Sequence, residues 1–287
     1  MNPIRRTLAL LALTSGLLAA TQASALETPW TQAGNADVRL VSGAIVDGAL
    51  EAGIEIRLAP GWKTYWRYPG DSGVPPRFDW SGSRNLDSAT VAFPAPRRFS
   101  DGASGFSIGY KGSVILPVRL TLQAPDKPTR IALSLDFAVC EALCVPAHAQ
   151  VALDVPAGGA TGSGATISAA ASTALATARA TVPAPAPVGG SQAPAVLSAT
   201  VDTRATPPVV TVAVRAQATK FDLFAEGPEE SWALPLPQVQ DTRDGITRFT
   251  FALDGLPAQA DWHGAELRLT LVDGTRAIET RLPLPAK

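Results

Sequence analysis

The chain contains two cysteines, Cys140 and Cys144, separated by three residues in Cys140-Glu141-Ala142-Leu143-Cys144. An alternating apolar run ends at Val139 and another begins near Ala149. If the two runs pair as a hairpin, the cysteines sit at its neck, where opposed positions lie ~4.5 to 5.5 Å apart, within reach of a disulfide. Three chemistries fit. A structural staple is one, although so short a loop gains little from cross-linking. A reducible pair for thiol exchange is the second. The third is a metal held by two thiolates and His148. The spacing is not the C-x-x-C of thioredoxin-like proteins and no βαβ pattern surrounds it, so no helix N-terminus is on offer to activate a thiolate. Activation would come from loop residues and nearby charge. Glu141 opposes ionisation of its neighbours, and Lys63, Arg67, Arg97 and Arg98 read as ordinary surface charge.

The elements that would hold this pair are strands. Val38–Val41, Leu50–Leu58, Val114–Leu122, Ile131–Val139 and Ala149–Val155 carry apolar residues at period two, with Pro, Gly, Asp and Ser clusters between them. Short strands without intervening helices indicate an antiparallel sandwich. After Pro156 the composition turns to Gly, Ala, Ser and Thr, a connector. Within it Ile167, Ala170, Ala171, Ala174, Leu175 and Ala178 fall on one helical face and Pro183 stops the run. From Val196 strands return: Val209–Val214, Phe221–Phe224, Thr247–Leu253, Leu267–Val272 and, after the Asp273-Gly274 turn signal, Ala277–Leu284. The expected fold class is all-β. Residues 26–156 form one sandwich, 157–194 a linker with a short helix, and 195–287 a second, smaller sandwich.

Composition narrows the function. With 46% hydrophobic and 17% charged residues the chain is neither disordered nor strongly charged. Its 24 basic and 25 acidic residues carry no footprint for nucleic acid. Arg5 and Arg6, the apolar stretch Leu8–Ala20 and Ala23-Ser24-Ala25 form the three parts of an export signal, cleaved near Ala25. Residues 1–25 are therefore expected to be removed, leaving an exported protein with no membrane span and with cysteines exposed to oxidising conditions.

Three blocks then carry a family resemblance. The first is Ala59-Pro60-Gly61-Trp62-Lys63-Thr64-Tyr65-Trp66-Arg67-Tyr68-Pro69-Gly70-Asp71-Ser72-Gly73, followed by Pro75-Pro76. The second comprises Phe93-Pro94, Arg98-Phe99, Gly109-Tyr110-Lys111-Gly112 and Leu116-Pro117-Val118. The third is Cys140 through Cys144 with Val145-Pro146. Together they resemble the N-terminal domain of the thiol:disulfide interchange protein DsbD, and more closely the ScsB-type N-terminal region, over about residues 35–156. The resemblance implies an immunoglobulin-like sandwich whose Cys140 and Cys144 cycle between dithiol and disulfide, with Cys144 the nucleophile toward a client. It implies a shielding cap over the pair from Phe99–Ile108, with Phe106 as the covering ring and Tyr65, Trp66 and Tyr110 close by. Trp62 and Trp80 read as core.

The three-residue spacing is shorter than in the best-known DsbD domain. These residues also contain neither the eight-helix membrane portion nor the thioredoxin-like domain of full-length DsbD. A separate transmembrane thiol transporter of DsbD, ScsB or CcdA type is the implied donor, and periplasmic thioredoxin-like oxidoreductases are the implied clients. No cofactor or metal is expected. The competing reading is a non-catalytic periplasmic binding protein of two immunoglobulin-like modules with a static disulfide.

Overall fold

The computed structural model describes residues 26–71, 73–101, 105–159 and 167–287. The expected export signal, residues 1–25, lies outside them. No helix among the described residues is long and apolar enough to cross a membrane.

Among the described residues the N-terminal half contributes eleven strands: β1 (Thr31–Ala33), β2 (Ala36–Val46), β3 (Ala49–Leu58), β4 (Lys63–Gly70), β5 (Arg77–Asp79), β6 (Leu86–Val91), β7 (Arg97–Ser100), β8 (Phe106–Lys111), β9 (Ser113–Leu122), β10 (Thr129–Cys140) and β11 (Cys144–Val155). One sheet runs β1-β2-β3-β9-β6 and the other β11-β10-β4-β8-β7, with β5 paired to β10. Alternating residues from both sheets, among them Leu40, Leu50, Ile54, Ile56, Leu116, Leu120, Leu133 and Leu135, fill one core. The period-two runs of the sequence are the half-exposed strands of this sandwich.

Strands β4, β7 and β8 are absent from the sequence reading. Lys63-Thr64-Tyr65-Trp66 is buried on both faces, so no polar alternation marks it. Likewise β11 starts at Cys144 rather than near Ala149, because Cys144, Val145 and Pro146 are all exposed and carry no pattern.

The linker holds α1 (Ala169–Ala180), capped by Ser168, whose hydroxyl accepts from the Ala171 amide. The span is more than a spacer. Leu175 packs with Val41 and Ala171 on the outside of the first sheet. Arg179 and Arg119 both pair with buried Glu51.

The C-terminal half adds β12 (Ala184–Pro185), β13 (Ala195–Asp202), β14 (Val209–Arg215), β15 (Phe221–Glu226), β16 (Gln238–Arg243), β17 (Ile246–Ala252), β18 (Glu266–Asp273) and β19 (Arg276–Pro283). Sheets β13-β14-β17-β16 and β12-β19-β18-β15 enclose a second core of Val210, Val212, Phe249, Leu269 and their neighbours. Among the described residues the fold is thus all-β apart from α1. Polar β16 escaped the sequence reading because its side chains are exposed or half-buried throughout.

Candidate functional site

The β10–β11 hairpin holds the cysteines. Its register is unbroken from Thr129↔Val155 to Cys140↔Cys144, so the pair faces directly across a three-residue connection. The two cysteines are joined in a disulfide with Cα atoms 4.1 Å apart. Their environments differ sharply. Cys140 is 5% exposed, whereas Cys144 and the turn residues before it are exposed. Leu143, at 79% exposure, and Val145, at 40%, stand on either side of Cys144.

Strand alternation decides what surrounds the pair. Cys140 pairs with Lys63 on β4, and Lys63 with Lys111 on β8. Tyr65 pairs with Gly109, which pairs with Arg97 on β7, and Ser107 pairs with Phe99. Paired residues share a face, so Lys63, Tyr65, Lys111, Arg97 and Phe99 lie on the cysteine side of this sheet. Thr64, Tyr110, Ile108, Arg98 and Phe106 lie on the other. A Cβ on Gly109 would collide with the Thr64 carbonyl, so glycine lets β8 approach β4 at this level.

Tyr65 is the residue the structure brings onto the pair. Its hydroxyl is 3.0 Å from Cys144 Sγ. Its ring, 3% exposed, packs with Ala138 and Cys140. Gly73 closes over that ring: a Cβ there would lie 2.6 Å from Tyr65 Cδ1. Burial, reinforced by the Asp101 charge, pushes the phenol above its ordinary 10. The hydroxyl therefore keeps its proton and can donate it to sulfur.

Beside it, Lys63 is ion-paired with Asp101, both side chains largely buried. This corrects the reading of Lys63 as surface charge. Arg67 and Arg98 are also engaged elsewhere, in ion pairs with Glu226 and Asp222. The Glu141 carboxylate lies against Gly61, where a Cβ would be 2.5 Å from its Oε1.

Three expected cap residues are placed differently. Phe106 has the parity of Ile108 and packs against the main core, so it does not supply the covering ring. The ring that this stretch presents on the cysteine side is Phe99, with Lys111 Nζ 5.1 Å from its centroid. Trp66 is fully buried against Phe224, and Tyr110 is a core residue whose hydroxyl donates to the Pro94 carbonyl at 2.8 Å. Counting parity back from Lys111 would have identified Phe99. No alternating pattern marks a strand there to count along. His148, four residues along β11 from Cys144, has Nδ1 2.7 Å from Asp136 Oδ1. Trp62 and Trp80 pack at the edge of the core.

Residues 35–156 match the family model described as "Thiol:disulfide interchange protein DsbD, N-terminal". No curated protein matches the chain. Among solved structures, the N-terminal periplasmic domain of ScsB from Proteus mirabilis is similar in fold, with a TM-score of 0.71 and 21% identity, covering 92% of this chain and 100% of that one. The three sequence blocks and the hairpin that carries Cys140 and Cys144 all fall inside the matched segment, and the first sandwich is thereby shown to resemble the DsbD N-terminal-domain family across residues 35–156.

Proposed function

We propose that this protein is a periplasmic thiol:disulfide exchange protein that relays electrons through Cys140 and Cys144. The carrying observation is the asymmetry of the pair: one sulfur-bearing residue exposed between two apolar side chains, the other buried beside it. Exchange requires one sulfur reachable by a partner and a second held ready to resolve.

In the reduced protein the Cys144 thiolate attacks one sulfur of a client disulfide. A Cys144–client bond forms, the client S–S bond breaks, and the departing client sulfur leaves as a thiolate. The Cys140 thiolate then attacks Cys144 Sγ, forming the intramolecular disulfide and releasing the second client thiolate. Two electrons pass to the client, whose thiolates take up the protons given up by Cys140 and Cys144. The Tyr65 hydroxyl supports the first step by donating to the Cys144 thiolate. The disulfide is then reduced by a donor dithiol, for which a transmembrane thiol transporter of DsbD or ScsB type is the candidate. Clients would be periplasmic thioredoxin-like oxidoreductases. No cofactor enters the cycle.

Redox titration of the folded protein tests this. The expected potential lies above about −300 mV, the boundary below which structural disulfides resist reduction. With Cys140→Ser, mixed disulfides to Cys144 should accumulate in periplasmic extract. A bond that yields only on unfolding would leave the static-disulfide reading in possession.

A further inference from the structure

The second sandwich has no place in the exchange steps, yet it grips β4, the strand beside the cysteine hairpin, and β7 at the edge of the same sheet. Strand β15 is buried on both faces: Leu223 and Ala225 enter its own core, while Phe224 joins the core of the first sandwich. The alternate residues Asp222, Phe224 and Glu226 point at β4 and β7. Phe224 meets Trp66 with ring centroids 5.9 Å apart. Glu226 takes the Arg67 fork at 2.9 and 2.7 Å, and Glu279 on β19 accepts from the same guanidinium at 2.5 Å. The Tyr68 hydroxyl donates to the Leu234 carbonyl at 2.6 Å. On β7, Arg98 donates to Asp222 at 2.9 and 2.7 Å and to the Pro237 carbonyl at 3.0 Å.

The gripped residues adjoin those on the cysteine side of the sheet. Trp66 follows Tyr65 directly, so one strand presents its hydroxyl to Cys144 on one face and its indole to the second sandwich on the other. Arg98 precedes Phe99 and lies three residues before Asp101, the partner of buried Lys63. Burial of the Arg67 guanidinium would lower its pKa, but the hydrogen bonds and charges of Glu226 and Glu279 outweigh that and leave it raised. A grip of this kind is costly to break, because it would strand a half-buried cation.

We infer that the second sandwich is a brace: by holding Trp66, Arg67 and Tyr68 on β4 and Arg98 on β7 from behind, it keeps Tyr65 seated against the Cys140–Cys144 pair and so sets how readily that pair exchanges. Arg67 and Arg98 act as positioning residues, with no contact to the reacting sulfurs required. This rests on the exchange function proposed above. Two packed elements with a shared strand suffice to couple the sites, on the scale of a few-fold to tens of fold.

The test uses the full chain with Glu226→Gln combined with Glu279→Gln, and separately Phe224→Leu, whose side chain faces away from the second core. Two readouts go with each: the rate at which dithiothreitol reduces the folded protein, and the pKa of Cys144 in the reduced protein from the pH dependence of alkylation. We expect reduction to accelerate about fivefold and the thiol pKa to rise as the Tyr65 hydroxyl loses its seat. A lowered melting temperature with both cysteine readouts at wild-type values would reduce the interface to a merely structural role and overturn the brace. If the double variant fails to fold, Arg67→Lys, which keeps the charge and gives up the fork, carries the same test. If the wild-type bond is inert to dithiothreitol until the protein unfolds, the exchange function fails instead. The thiol pKa of reduced, refolded protein still decides the brace in that case.

Discussion

Replacing Tyr65 with Phe removes one oxygen and leaves the ring seated between Gly73, Ala138 and Cys140. What is lost is the hydroxyl 3.0 Å from Cys144 Sγ. Because burial holds that phenol above its ordinary pKa, it is still a donor where a thiol titrates, near 8.5. A hydrogen bond to a charged acceptor contributes about 1.5 to 3 kcal/mol, and the exposure of Cys144 lets water compete, so the lower figure applies. About 1.4 kcal/mol corresponds to one pKa unit, so the Cys144 thiol should rise by about one unit in Tyr65→Phe. At neutral pH the thiolate fraction then falls about tenfold. The more basic thiolate recovers about threefold of that through its greater nucleophilicity, leaving alkylation about three- to fourfold slower. Iodoacetamide labelling of the reduced protein across pH 5 to 10 measures both quantities, since buried Cys140 contributes little to the early phase. A pKa that stays put or falls, in a protein that melts like wild type, would refute the role given to this hydroxyl.

Leu143→Asp, at the exposed tip beside Cys144, should slow exchange with protein partners by tenfold or more while leaving reduction by dithiothreitol within about twofold, because only a docked partner needs the apolar contact; stopped-flow Trp fluorescence separates the two. Tyr68, pushed up to about 12 mainly by burial and further by Asp71 and Glu226, holds its proton in the folded state where the unfolded chain loses it near 10. Stability contributed by this group is therefore complete below pH 10 and is lost as pH rises toward 12, and Tyr68→Phe should flatten that part of the urea-midpoint profile. Leu175→Ala should destabilise the N-terminal half by about 2 to 4 kcal/mol, seen as a lower thermal midpoint, because the side chain is 4% exposed and seated over Gly43 and Gly53.

Much of the architecture could be read from residues alone, wherever a strand keeps one face wet. Leu50–Leu58 and Ile131–Val139 alternate, and they are β3 and most of β10. The cysteine spacing between two such runs was enough to place the pair at a hairpin neck, because register follows once the turn length is set. The helix was legible too, from Ala171, Leu175 and Ala178 at helical spacing and a stopping proline. These are local patterns, and local patterns survive in one dimension.

What tertiary structure alone decided is which side of the sheet each aromatic faces and what lies behind it. Tyr65 and Trp66 are neighbours in sequence, yet one bonds Cys144 and the other meets Phe224, a division visible only once β4 is known to be a strand covered on both faces. Phe99 rather than Phe106 shares the cysteine side for the same reason. Lys63, Arg67 and Arg98 look like solvent charges until Asp101, Glu226 and Asp222 arrive from 38, 159 and 124 residues away. A carboxylate that distant in sequence leaves no trace beside its partner, because charge pairing depends on separation in space and the chain's path between the two is set by the packing of both sandwiches.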